Sequence, residues 1–284
     1  MDDVPCAAQR FSKRLQGLPK VRLSPIADLP HPWNVGDLIV ERRALVSVRK
    51  RMTLGLAFLA GLPAILILYP QPLFAYSVDY GAFTVHSDRP LDPAMARVIE
   101  DAERRLRSSE LYRADEKYRV FLCNEPWRLW LLARDTSVGG TAEILFTGNI
   151  YIREADAASN RVLIGDAILA DAQARPLSYF IAHEAAHVLQ SRRFGRLVAL
   201  RYPRWLIEGH ADLVAKAGDF DVGGNRALLN RGDEMLAEHY ARTGLYRRYH
   251  LMVHAVLEGS GLDAAGLFAA PPSEQAALEA ARGR

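Results

Sequence analysis

No charged residue interrupts the chain between Arg51 and Asp79, and within that run residues 53–69 (TLGLAFLAGLPAILILY) are almost continuous hydrocarbon. Such a segment has to leave water, in a bilayer or in a protein core. Seventeen residues rising about 1.5 Å each cover roughly 26 Å, the short end of what crosses a ~30 Å hydrocarbon layer. Pro63 can bend the segment, and Met52 or residues 46–48 can lengthen it.

The flanks decide between the two media. Arg42, Arg43, Arg49, Lys50 and Arg51 crowd the N-terminal side, whereas Asp79, Asp88 and Asp92 outweigh Arg89 on the other. By the positive-inside rule the N-terminus is cytoplasmic and the chain after residue 76 lies outside. Ala75-Tyr76-Ser77 loosely matches a small-x-small cleavage site, which makes a removable secretory signal the second reading and a buried core helix the third. A leading region of 51 residues is long for a signal, although Met52 could itself be a start. The expected organisation is therefore a mostly irregular, proline-punctuated basic tail over 1–51, one transmembrane helix over 52–76 and one extracytoplasmic domain over 77–284. Arg outnumbers Lys 31 to 5, a bias associated with GC-rich bacterial genomes, so that domain is expected in the periplasm or at the cell exterior.

Charge and cysteine content exclude several classes. A formal charge of +3, with no Lys/Arg block interleaved with aromatics, leaves no footprint for nucleic acid. Cys6 and Cys123 fit no metal or redox spacing, and in the anchored topology they face different compartments and cannot pair.

Within the domain, YRVFLC (118–123) and NIYIR (149–153) carry the aromatic and β-branched content of strands. Asp92-Pro93 caps an amphipathic helix whose Met95, Val98, Ile99, Ala102 and Leu106 recur every three to four residues. Further helices are expected over 176–193, with Gly195 as stop signal, 203–216, 225–242 and 245–258. Trp127, Trp130, Leu131 and Leu132 suggest a short helix with a large apolar face, read as ordinary core packing rather than a face resting on the membrane.

Chemistry enters with His183-Glu184-Ala185-Ala186-His187, a His-Glu-x-x-His motif in the first of those later helices. Residues four apart stack on one helical face, so both imidazoles can reach one zinc ion at about 2.0–2.1 Å. Glu184 is turned about 100° from His183, near enough to a zinc-bound water to act as general base. Zinc lowers the pKa of such a water toward ~7 and polarises a carbonyl, which is the chemistry of peptide hydrolysis. A third ligand is needed, and Glu208 on the next expected helix supplies it. A metzincin continuation is absent, because Gln190 and Arg193 stand where its glycine and third histidine belong. Arg175, Arg192 and Arg193 bracket too short an apolar run for the motif helix to lie within a bilayer. His250 and His254 repeat the four-residue spacing, but Leu251 occupies the base position and the pair reads as core or surface.

His-Glu-x-x-His followed by Trp205-Leu206-Ile207-Glu208-Gly209-His210-Ala211 resembles the gluzincin metallopeptidases, particularly aminopeptidase N-like and related small bacterial peptidase domains, over about residues 177–217. The resemblance implies His183, His187 and Glu208 as ligands, Glu184 as base, and an α+β fold: a small antiparallel sheet beside a mainly helical, zincin-like C-terminal half. Asp212 matches a carboxylate that in thermolysin-like members orients the first histidine through its other ring nitrogen. Aminopeptidases of this group hold the substrate amine with Gly-x-Met-Glu-Asn; Gly140-Thr141-Ala142-Glu143-Ile144 keeps only the glycine and the glutamate, which disfavours exopeptidase action. The family often keeps an edge strand upstream of the motif helix to pair with an extended substrate, a place expected for residues 149–153. An oxyanion stabiliser is required, with Tyr202, Tyr246, Tyr249 and His250 as candidates.

The sequence thus points to a membrane-anchored zinc endopeptidase acting on proteins or peptides, held in the lipid bilayer through residues 52–76. Its rivals are an aminopeptidase or other amidohydrolase on the same site, and a non-catalytic tethered binding protein with a structural or vestigial zinc site.

Overall fold

Strand pairing begins where the uncharged run ends. In a computed structural model describing residues 49–53, 55, 61, 65–163, 175–232 and 242–283, Gly81 takes a left-handed φ of 66° and folds β1 (Tyr76–Tyr80) back on β2 (Phe83–Ser87). Then α1 (Met95–Leu106) returns the chain and β3 (Tyr118–Cys123) runs parallel to β2. After α2 (Pro126–Ala133) a hairpin of β4 (Gly140–Glu143) and β5 (Asn149–Arg153) completes five strands in the order β1-β2-β3-β5-β4, with β5 parallel to β3. A two-stranded ribbon, β6 (Ala155–Asp156) with β7 (Arg161–Val162), follows.

The sheet is therefore mixed, not antiparallel as the resemblance implied. A helix between β2 and β3 forces the second strand to start at the same end as the first, and strands covered on both faces show few polar positions. That is the case here: Val85, Val120, Leu122, Ile150 and Ile152 face α1 and the helix that carries the motif, while Phe121 and Tyr151 face α2 and Phe74. The expectation of a substrate-pairing edge at 149–153 is corrected too, since β5 lies inside the sheet and β4 forms the edge.

The C-terminal half is helical: α3 (Leu177–Phe194), the single turn α4 (Val198–Arg201), α5 (Arg204–Lys216), α6 (Val222–Arg231), α7 (Arg242–Ser260), α8 (Ala264–Ala269) and α9 (Glu274–Arg282). Because α3 sits between the sheet and the other helices, it is buried on nearly every face, from Leu177 through Ser191 with His187 only partly covered. Arg105 of α1 is itself buried and donates to the carbonyl of Ala215 at 2.7 Å, closing the end of α5. The expected helix at 225–242 starts earlier and ends sooner: Asp221 caps it at the Gly224 amide, and Gly232, at φ 71°, stops it, with residues 233–241 outside the described set. Helices α8 and α9, which apolar spacing alone did not suggest, are capped by Asp263 and Ser273.

Most of the expected membrane segment, and all of the tail before residue 49 with Cys6, lie outside the described residues. Among the described residues no helix is long and apolar enough to cross a membrane. Residues 71–73 form a 3-10 turn, Phe74 packs on Phe121 with ring centroids 5.1 Å apart, and Arg128 Nε donates to the Leu73 carbonyl at 3.1 Å, so residues 71–76 belong to the folded domain. Cys123 is a buried free thiol. Trp127 and Trp130 are corrected as well: α2 buries Leu129 and Leu132 instead and leaves both indoles exposed.

Candidate metal centre

Helix α3 brings His183 and His187 to one face, and α5, lying across it, brings Glu208 to the same point. The two Nε2 atoms are 3.3 Å apart, and Glu208 Oε2 lies 3.4 Å from that of His183 and 3.5 Å from that of His187. Ligands bound tetrahedrally at about 2.0–2.1 Å are necessarily some 3.3–3.4 Å apart, so the triangle has the size that a single zinc-like ion requires. Glu208 Oε2 is buried and has no hydrogen-bond partner, which fits an atom reserved for a cation. Among the described residues these three form the group able to hold a metal ion.

Supporting contacts fix one ligand closely. Gln190 Oε1 lies 3.1 Å from Nδ1 of His187, while Gln190 Nε2 donates to the Ile207 carbonyl at 2.9 Å and meets His210 Nδ1 at 3.1 Å. With the amide oxygen accepting from Nδ1–H, His187 is left with Nε2 as the ring atom that could bind a metal. Burial, with His187 nearby, pushes His210 down to about 4, so it accepts that amide proton as a neutral ring. Sequence spacing missed Gln190 as an orienting residue; a glutamine three residues past the second histidine, inside a helix with almost no exposed face, was its only signal.

Asp212 does not take the place implied for it. Its carboxylate is fully buried and accepts from Tyr179 Oη at 2.5 Å, Lys216 Nζ at 2.9 Å and His250 Nδ1 at 3.0 Å, whereas His183 Nδ1 has no hydrogen-bond partner. Burial opposes its ionisation, but Lys216 and His250 hold the carboxyl below the usual range. The same burial lowers the His250 imidazole, with Asp212 opposing, and Phe220 stacks on it at 3.7 Å. His250 is thereby tied to Asp212 and is not among the residues lining the cleft beside His183. Tyr202 is packed on Phe194 and Phe268, and Tyr249 is buried among the C-terminal helices. Tyr246 is brought to the site: its ring lies 5.4 Å from that of His183 and it lines the cleft.

That cleft, about 280 Å³, is walled by β4, α3 and the start of α5. Carbonyls of Gly139 and Glu143 accept from Arg153 and Gly148, so the alternate residues Gly140 and Ala142 turn their backbone groups toward the open edge. The backbone amide of Ala142 stands close enough to the Glu184 carboxylate to favour its charged form. Gly140 permits this approach, since a Cβ there would meet Ile152 Cδ1 at 2.7 Å and Glu184 Cγ at 3.2 Å. Burial pushes the Glu184 carboxyl up, against the opposing pull of His183 and His187. His187 is depressed by burial but raised further by Glu208, to about 9, and Glu208 is held well below the carboxylate range by the two imidazoles despite its own burial. Glu143, the glutamate kept from the amine-binding pattern, is spent on its own turn: it accepts from the amides of Leu145, Phe146 and Thr147 and from the Thr147 hydroxyl.

Compared with models of known protein families and with curated proteins, the chain matches none.

Proposed function

We propose that the protein is a zinc-dependent endopeptidase of the gluzincin type, with His183, His187 and Glu208 as ligands and Glu184 as general base. The observation that carries this reading is the 3.3, 3.4 and 3.5 Å triangle opening into a cleft, with a second buried carboxylate, Glu184, lining the same cleft. An ion held there would polarise the scissile carbonyl and make a water acidic enough to lose its proton near neutral pH. Glu184 takes that proton and returns it to the leaving amine nitrogen. A carboxyl raised by burial is suited to both halves of the transfer.

The rest of the cleft supplies position. The open edge of β4 offers the backbone groups of Gly140 and the carbonyl of Ala142 for pairing with an extended substrate. Tyr246, which lines the cleft, is the candidate to hydrogen-bond the developing oxyanion. Occupation of Glu143 within its own turn leaves no carboxylate there for a free N-terminus, which favours internal cleavage over aminopeptidase action. The charge asymmetry around the uncharged run supports tethering to a membrane, with the cleft on the extracytoplasmic side.

The test is zinc content and turnover of a proteome-derived peptide library by the full chain and by Glu184→Gln. One zinc per chain in both, with cleavage only in the wild type and at blocked internal bonds, is expected. Equal cleavage by both would remove Glu184 from the chemistry, and stoichiometric zinc without any turnover would favour a structural or vestigial site.

A further inference from the structure

The link between α3 and α5 combines two properties that rarely share a surface. No acidic residue occurs over residues 185–207, whereas Arg192, Arg193, Arg196, Arg201 and Arg204 all do. Glu116 receives Arg192 and Arg193. Arg196, Arg201 and Arg204 are exposed, and among the described residues no carboxylate pairs with them. Between them Val198 is buried and pins the single turn of α4, which turns Leu197 outward at 61% exposure and Leu200 at 82%. Across the cleft mouth the turn between β4 and β5 exposes Phe146 at 68%. The two rims border one cavity, since Ile144, which leads into that turn, and Ala199, between the two leucines, both line the cleft.

Leucines at such exposure on a pinned turn call for an apolar medium, and the unpaired arginines beside them call for an anionic one. We infer that this rim seats the cleft on an anionic lipid surface, with Leu197 and Leu200 entering the boundary between headgroups and acyl chains and Arg196 and Arg201 meeting lipid phosphates. An acidic polypeptide would satisfy the arginines and leave the leucines in water. A second copy docking through the same rim would bring two acid-free arginine sets together, which repel. A bilayer provides both media in one plane. The inference goes beyond the proposed peptidase chemistry and stands on none of it; where both hold, the bonds presented to the cleft are those of polypeptide lying at the membrane surface.

The test uses the full chain with Cys6→Ser and Leu200→Cys, labelled with a polarity-sensitive fluorophore and reconstituted in phosphatidylcholine vesicles with or without phosphatidylglycerol. Cys123 stays unlabelled, being buried, with its thiol pushed up to about 12 by that burial. In vesicles containing phosphatidylglycerol the emission is expected to shift to the blue and to be quenched by lipids brominated near the glycerol backbone. Reversing two charges, Arg196→Glu with Arg201→Glu, is expected to lower the docking equilibrium on the order of a hundredfold or more. A label at Leu197→Cys repeats the reading from a second site. Identical spectra with and without phosphatidylglycerol at both sites would overturn the inference, as would a shift undiminished by the charge reversal. A shift that grows with protein density without bromolipid quenching would assign the rim to a second copy, and one produced equally by polyglutamate would assign it to acidic polypeptide.

Discussion

Glu208 and Asp212 stand one turn apart on α5, and each meets histidine, yet their surroundings differ in kind. Around Asp212 three donors converge from α3, α5 and α7 at 2.5–3.0 Å, so the buried charge is fully compensated and three helices are tied at one point. Around Glu208 two imidazole nitrogens approach no closer than 3.4 Å, leaving a buried oxygen without a hydrogen bond. A compensated carboxylate is a structural joint. A trio of buried electron-pair donors converging on one point costs solvation that a cation would restore. The contrast explains how neighbouring turns of one helix can serve stability and chemistry separately.

Substitutions at the two positions should therefore fail in different ways. Glu208→Ala is expected to abolish both bound zinc and turnover, while Asp212→Ala costs about 3–5 kcal/mol of stability by stranding Lys216 and His250. Metal analysis and thermal melts on both variants check this, and zinc lost from the still-folded Asp212 variant would erase the distinction. Glu184→Gln is expected to keep the metal and lower turnover about 10²–10⁴-fold. Tyr246→Phe should lower kcat by about 10²–10³ with KM little changed, as an oxyanion donor would; a change in KM alone would make it a binding residue.

The pH dependence of metal uptake separates the clusters further. With His187 at about 9, the metal-free site carries a proton that must leave when zinc enters. Affinity is thus expected to weaken about tenfold for each unit below pH 9 and to level off above it, roughly a hundredfold between pH 9 and 7. The sign for folding is opposite: the raised His187 stabilises the metal-free protein below its ordinary 6.5, a contribution lost as pH rises through about 9. Zinc competition titrations against pH decide the first point and denaturant melts of the metal-free form the second. The smallest effect is expected at Gln190→Ala, about 10–100-fold in zinc affinity, because it frees the ring of His187 without removing a ligand.

What could be read from the chain was whatever is local. Two histidines four apart share a helical face through periodicity alone, and the structure brings Glu208 of the next helix beside them in a group that could hold a metal ion. The partners of Asp212 could not be read, because Tyr179 and His250 come from residues 33 and 38 positions away, on helices whose packing no spacing encodes. Strand direction failed for a related reason. YRVFLC shows that a strand exists, but only the return of the chain along α1 makes it parallel. Helix α6 begins three residues before the expected 225, where Asp221 caps the amide of Gly224.

Gly209 sits beside Glu208 with the carbonyl of Tyr249 and the side chain of Val253 where a Cβ would stand. The peptide chain of α7 consequently rests on bare backbone, and Tyr246 is carried one turn along that same helix. A methyl group gained at this position would act as a wedge, levering the phenol away from the histidines although it touches neither. An otherwise mild glycine-to-alanine change is thus expected to disturb the cleft from a residue that offers no functional group at all.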